Sequence, residues 1–370
     1  MTAMTASPAF TPTVEPNPHP RSAAELEVIL ANPGFGNYFT DHMFLAKWTP
    51  DEGWTHPRIV PYQALTLDPA TAVLHYAQEV FEGLKAYAHD DGSIWLFRPE
   101  ANAERMQRSS RRLALPELPT DWFVGSIKAL IDADVAWVPH GDEKSLYIRP
   151  FMFASERFLG VRPSQHVTYG VITSPAAAYF PGGVKPVSIW LSTEYARAGA
   201  GGMGAAKTGG NYASSLLPQQ EAAEQGCAQV AFLDSAEHRW VEELGGMNLF
   251  FVQSDGSIVT PALSGSILEG ITRDSIITLA GDLGHDVIER RVSIDEWREG
   301  CADGTISEVF ACGTAAVVTP VRSLKWPDGE AVTSDGEAGK VTMDLRSALI
   351  DIQYGHAEDR HSWMENVIPT

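Results

Sequence analysis

Residues 199–212 read GAGGMGAAKTGGNY, and the run admits several meanings. Its first six residues satisfy G-x-G-x-x-G, the fingerprint of a dinucleotide loop, while AKT at 206–208 nearly completes the G-K-[ST] ending of a triphosphate loop. Either would make Lys207 a phosphate clamp. Alternatively Lys207 is a nucleophile, left bare by small neighbours so that something flat and bulky can reach its amine, or it simply sits in a flexible surface loop. The flanks decide against the phosphate clamps. A dinucleotide loop needs an apolar strand directly before the first glycine and a helix opening at the last. VSIWLS ends at 192, and Gly209 and Gly210 discourage a helix after Gly204. Ala206 stands where a triphosphate loop requires glycine. The nucleophile and the plain loop remain.

An amine at its ordinary pKa is protonated at neutral pH, so a catalytic lysine works by carrying an aldehyde cofactor as a Schiff base, most often pyridoxal phosphate. Such a cofactor needs a carboxylate for its ring nitrogen, donors for its phosphate and a phenol or hydroxyl beside the ring oxygen. VEELGGMN (241–248) offers Glu242 and Glu243 at the end of a strand; alternation would point one of them inward, although on pattern alone a solvated acidic turn is the better reading. EGITRDSI (269–276) sets Gly270, Ile271 and Thr272 at a helix start, where free amides bind anions, although Thr272 could be an ordinary cap. CGTAA (312–316) is a second nest of small residues with exposed amides. Arg105 in ANAERMQRSS could add a charged contact, as could Arg108, Arg111 or Arg112.

The chain has 370 residues, 44% of them hydrophobic, enough for two domains. A formal net charge of -20 disfavours nucleic acid and anionic membranes as partners. No apolar run approaches the ~20 residues of a membrane span, and no leader pattern is visible, so a cytoplasmic location is expected. Cys227, Cys301 and Cys312 lack a C-x-x-C and suit reduced thiols. No metal site is expected. Residues 1–35 are read as a mobile arm, starting from an aperiodic Pro/Thr/Ala-rich segment. Strand patterns follow at 38–48 and 59–67, helical spacing at 101–115 and 122–138, and strands YIRPFMFAS and VTYGVITSP. AAAYFPGGVKP breaks both periods. Residues 36–177 form a small N-terminal domain, 178–186 a linker and 187–370 a large C-terminal cofactor-binding domain. Mixed strands and helices in both halves, without a βαβ rhythm, give an α/β (α+β) class with two mixed α/β domains.

The runs LHYAQEVFEGLKAY (74–87), YIRPFMF (147–153), AYFPGG (178–183), AAKTGGNYASSL (205–216), VEELGGMN, LEGITRDS (268–275) and FACGTAAVVTPV (310–321) resemble the branched-chain amino acid aminotransferases, which are fold-type IV pyridoxal phosphate enzymes. The similarity extends from about residue 35 to the end and favours the larger form that bacteria share with animals. It implies that Lys207 carries pyridoxal 5'-phosphate, Glu243 pairs with the ring nitrogen and Tyr212 bonds the ring oxygen. Arg105, Ile271, Thr272 and Thr314 match phosphate-binding positions. Thr314 and Ala315 match the amides that hold the substrate carboxylate, and Tyr76, Phe81, Tyr147, Arg149 and Tyr179 match the pocket walls. Arg149 would suit the distal carboxylate of glutamate. The resemblance implies exchange of the amino group between leucine, isoleucine or valine and 2-oxoglutarate, by a homodimer. Two departures stand out: the mammalian C-x-x-C falls at Ala316 and Thr319, so thiol regulation of that kind is not expected, and a usual threonine is Gly246. A D-amino acid aminotransferase or an aminodeoxychorismate lyase would keep Lys207 and Glu243 with a different pocket, and a protein that binds the cofactor without turnover is the reading from another class.

Overall fold

The structure, a computed structural model, describes residues 10–141, 143–178, 183–333 and 337–368. The chain divides into two compact units, Met1–Tyr179 together with Gln353–Thr370, and Phe180–Ile352.

The first unit is built on a nine-stranded sheet. Its spine is the pair Ser145–Ala154 and Val167–Ala176, antiparallel along ten residues each. Strict alternation in the first of these buries Leu146, Ile148 and Met152 and leaves Tyr147, Arg149 and Phe151 half-buried on the opposite face. Helices Pro99–Arg112 and Thr120–Ala133 cover the core face, packing Met106, Trp122, Phe123 and Ile127 into one cluster with Phe44, Leu96, Ile148 and Tyr169.

The second unit holds another nine-stranded sheet, in spatial order Val241–Leu244, Gln229–Leu233, Val187–Leu191, Val317–Trp326, Ile306–Gly313, Asn248–Gln253, Ile258–Pro261 and Val287–Arg290, with Gly329–Val332 beside Val317–Trp326. Alternation again sorts the faces: Val230 and Phe232 join Ala222 of helix Leu216–Glu224, whereas Ala231 and Leu233 join the cluster that contains Trp297 of helix Ile294–Asp303. No helix among the described residues is long and apolar enough to cross a membrane.

Several elements differ from the sequence expectation. Residues 1–9 lie outside the described part, but from Phe10 onward the segment read as a mobile arm is held. Phe10 packs on Trp122 with ring centroids 5.4 Å apart, Thr13–Val14 pairs with Gly53–Pro61, and a Ser22–Glu25 capping box starts helix Ala23–Ala31. The strand expected over 59–67 stops at Pro61, after which the Tyr62 amide turns to the Asp41 carbonyl at 2.9 Å. The helix expected to reach 138 ends at Ala133, where the Asp134 carboxylate takes the His42 amide and ring nitrogen at 2.9 and 2.7 Å. Residues 353–370, assigned from sequence to the C-terminal domain, belong to the first unit, in which Met364–Ile368 extends the sheet beside Ile94–Phe97. Four residues of the expected linker, 179–182, lie outside the described residues.

Candidate active site

In the second unit the glycine-rich run makes no helix after Gly204. The chain turns through Met203–Ala206, and a short helix, Gly209–Ala213, begins only after Lys207 and Thr208. Asn211 fixes this loop from below, its amide donating to the carbonyls of Met203 and Ala206, both at 2.8 Å. The outcome is a half-buried Lys207 whose Nζ donates to the Tyr212 hydroxyl at 2.6 Å.

Glu243 lies on the strand Val241–Leu244 and is 2% exposed. Arg197 Nη2 approaches its Oε1 to 2.5 Å, and the Leu268 amide donates to the same oxygen at 2.7 Å. Both contacts fall on Oε1. Burial pushes the carboxyl up to about 7, opposed first by Arg197; the charges of Glu242 and Lys207 also reach it. Glu242 is not the solvated turn residue that one reading allowed. It is 6% exposed and accepts the hydroxyl of Ser266, itself buried.

Contacts at three glycines bring these motifs together. A Cβ on Gly204 would lie 2.2 Å from the Ser266 carbonyl oxygen, and one on Gly270 would lie 2.1 Å from Asn248 Oδ1. A Cβ on Gly313 would sit 3.4 Å from the Gly246 carbonyl, which brings the turn 314–316 beside the turn 245–247. Helix Ile271–Asp282 starts at Gly270 with no side-chain cap, so the amides of Ile271 and Thr272 stay available to an anion. Thr314 and Ala315 sit half-buried in the turn that joins Ile306–Gly313 to Val317–Trp326. A Cβ on Gly246 would have only Tyr212 Cε1 near it, at 3.8 Å, so the site has room there for a small side chain.

The first unit gathers another set. Arg149 Nη2 donates to the Tyr147 hydroxyl at 2.8 Å, and its guanidinium lies 4.8 Å over the Phe81 ring. Phe35 meets Tyr147 edge-on at 5.0 Å. Tyr76, on the short helix Val73–Tyr76, is instead 39% exposed and donates to the Leu159 carbonyl. Arg105 is 4% exposed and held in a two-pronged pair with the fully buried Glu82, at 2.8 and 2.7 Å. Tyr179 lies outside the described residues.

Sequence reasoning missed Arg197, Ser266 and Glu82. Arg197 is a lone basic residue in a small-residue loop and matches no motif; only its 3% side-chain exposure and its Glu243 partner single it out. The three cysteines are free, and burial pushes the Cys312 thiol far up.

The described residues fit a pyridoxal phosphate. A lysine with a phenol at its nitrogen, a buried carboxylate with an oxygen left over and two nests of amides match the groups this cofactor requires. Residues 79–324 match the family Amino-transferase class IV. The probable branched-chain-amino-acid aminotransferase of Streptomyces coelicolor is 59% identical over 96% of this chain and 99% of its own length. The branched-chain-amino-acid aminotransferase of Mycolicibacterium smegmatis is 58% identical over 95% and 97%. Among solved structures, the Escherichia coli branched-chain amino acid aminotransferase superposes with a TM-score of 0.73 at 30% identity, over 87% of this chain and 99% of that one. The T.th. branched-chain amino acid aminotransferase, solved with pyridoxamine 5'-phosphate, gives 0.72 at 30% identity, over 87% and 98%. The chain therefore belongs to the class IV aminotransferases and, within them, to the branched-chain amino acid aminotransferase family.

Proposed function

We propose that this protein uses pyridoxal 5'-phosphate to exchange the amino group between L-leucine, L-isoleucine or L-valine and 2-oxoglutarate, giving the branched-chain 2-oxo acid and L-glutamate. The observation that carries this reading is the grouping of Lys207, Tyr212 and Glu243 around one spot in the second unit, with the amides of Ile271 and Thr272 on an uncapped helix. When bound, the cofactor supplies an electron sink for the substrate Cα. Lys207 Nζ would hold the cofactor, and its free amine would accept the proton that leaves the substrate Cα and deliver it beyond the substrate nitrogen. The Tyr212 hydroxyl, 2.6 Å from Nζ, orients that amine. Glu243 Oε2 keeps the ring nitrogen protonated, with Arg197 and Leu268 fixing the other oxygen. The amides of Thr314 and Ala315 hold the substrate carboxylate. Arg105, its guanidinium plane set by Glu82, contributes to phosphate binding.

For the side chain, Phe81 and Tyr147 form the apolar wall, and Arg149, stacked on Phe81, binds the glutamate carboxylate. One methylene changes apolar binding by only roughly 1–3 kcal/mol, so a single wall suits all three aliphatic substrates. The enzyme is a cytoplasmic homodimer. Supporting the dimer, Tyr62, Leu65, Leu67, Leu74, Phe158, Leu159 and Val161 are exposed apolar residues on two neighbouring segments, joined where the Phe158 amide meets the Ala70 carbonyl. The test is turnover of the pyridoxal phosphate-loaded protein with L-leucine and 2-oxoglutarate, with D-alanine as comparison, and light scattering on the active species. Preference for D-alanine would point to a D-amino acid aminotransferase, and full activity at the 40.2 kDa monomer mass would refute the dimer.

A further inference from the structure

Glu242 has no part in that reading, yet it occupies an expensive place. It is 6% exposed, and burial raises its carboxyl above the ordinary range, against the pull of Ser266 and Arg197. Only Oε1 is engaged, by the Ser266 hydroxyl; Oε2 has no hydrogen-bond partner among the described residues. A carboxyl so placed costs stability relative to an apolar side chain of the same size, which points to a task other than stability.

That task is legible in what Ser266 does next. Its hydroxyl sits between Glu242 and Ser264 Oγ, the latter at 2.7 Å, and its side chain is buried. Its carbonyl accepts Arg197 Nη2 at 2.7 Å, and that nitrogen lies 2.5 Å from Glu243 Oε1. Two residues on, the Leu268 amide donates to the same carboxylate oxygen. Both groups that orient Glu243 are thus attached to one short segment, and the Glu242 side chain ties the middle of that segment to the strand carrying Glu243, beside the Ala205 amide on the Gly265 carbonyl and Asn248 Nδ2 on the Leu268 carbonyl, both at 3.1 Å.

We propose that Glu242 and Ser266 are positioning residues: their hydrogen bond fixes the segment 264–268, which holds Arg197 and Glu243 in the orientation that meets the cofactor ring nitrogen. This rests on Glu243 being that partner. The role belongs to the hydrogen bond rather than to charge, so Glu242→Gln, whose amide oxygen still accepts from Ser266, preserves it, whereas Glu242→Ala and Ser266→Ala do not.

The experiment uses the full chain loaded with pyridoxal phosphate and reads cofactor affinity by equilibrium dialysis, the pH midpoint of the bound cofactor's absorbance band, and thermal unfolding of the cofactor-free protein. Glu243→Gln serves as reference. Glu242→Ala and Ser266→Ala should each weaken the cofactor about tenfold, the scale of a buried group losing its hydrogen-bond partner, and should move the band midpoint in the direction that Glu243→Gln moves it. The double variant should be no worse than either single one, since both break the same contact. Glu242→Gln should remain within about twofold of the parent. A normal affinity and midpoint in Ser266→Ala, with Glu243→Gln altered, overturns the proposal alone. So does a fall in melting temperature with an unaltered band. If Glu242→Ala does not fold, Ser266→Ala and Glu242→Gln decide. A normal band in Glu243→Gln overturns the underlying assignment of Glu243 as well.

Discussion

Replacing Gly204 by alanine tests how the glycine-rich run works. The new Cβ would lie 2.2, 2.4 and 2.5 Å from the Ser266 carbonyl oxygen, Cα and carbonyl carbon. These are backbone atoms and cannot swing aside, so the two segments must separate by about 1 Å. That displacement breaks or lengthens the bonds of Arg197 Nη2 to the Ser266 and Gly204 carbonyls, now 2.7 and 2.9 Å. Overpacking costs about 1–3 kcal/mol, and a hydrogen bond to a charged group contributes about 1.5–3 kcal/mol, so a loss of roughly 3–6 kcal/mol is expected. At about 2–4 °C per kcal/mol for a domain of this size, the melting temperature should fall by about 6–24 °C, and pyridoxal phosphate affinity should fall with it. Gly199→Ala should be milder, because its nearest obstacle is the Ser235 hydroxyl at 3.0 Å, a side chain that can rotate. Gly281→Ala, on helix Ile271–Asp282 with nothing within 4 Å, should stabilise by up to about 1 kcal/mol. Thermal unfolding of the three variants gives the answer. A Gly204→Ala protein melting within about 2 °C of the parent, with normal cofactor affinity, would refute the reasoning.

Further expectations concern Glu243 and its neighbours. Glu243→Gln should slow turnover by orders of magnitude while Glu242→Gln stays near the parent; equal effects would mean that the wrong carboxyl has been assigned. Arg197→Met leaves Glu243 buried without its cation and should destabilise the fold by about 3–5 kcal/mol, measurable by denaturant titration; an unchanged midpoint would contradict the pairing. The pH dependence has a definite sign. Burial raises the Glu243 carboxyl from 4.5 to about 7, so the native state binds this proton more tightly than the unfolded chain does, and the stability of the cofactor-free protein should fall as pH rises from about 4.5 through 7. The change is on the order of 3 kcal/mol, and Glu243→Gln should flatten it; identical pH slopes in parent and variant would exclude the effect.

The sequence announces those parts of the site whose cause is local. Lys207 is conspicuous because small residues crowd it, and the start of helix Ile271–Asp282 because Gly270 precedes an apolar repeat. Tyr147 and Arg149, which the resemblance assigned to the pocket, lie two apart on one face of their strand, away from the core. What stayed hidden depends on distant partners. Arg197 acquires meaning only when the chain brings Glu243 to it, and nothing in the spacing of Ser266 announces that its carbonyl will receive that arginine. Glu242 and Glu243 are both buried, which period-two reasoning does not foresee, because it assumes that one face of the strand meets water. Arg105 is visible as one of several arginines on a helix, but its pairing with Glu82 spans 23 residues and two elements. Met364–Ile368 is short and finds its sheet partner across most of the chain. Residues 10–31 show the reverse failure, since a Pro-rich composition concealed an aromatic anchor, Phe10, and a capped helix.

On this reading the glycine-rich run presents Lys207 as the residue that bonds covalently to the cofactor. Borohydride reduction of the pyridoxal phosphate-loaded protein, followed by peptide mapping, tests it most directly. One pyridoxyl-labelled peptide containing Lys207 is expected, with no label or cofactor absorbance in Lys207→Ala. A pyridoxyl group on any other lysine, or full labelling that survives Lys207→Ala, would contradict it.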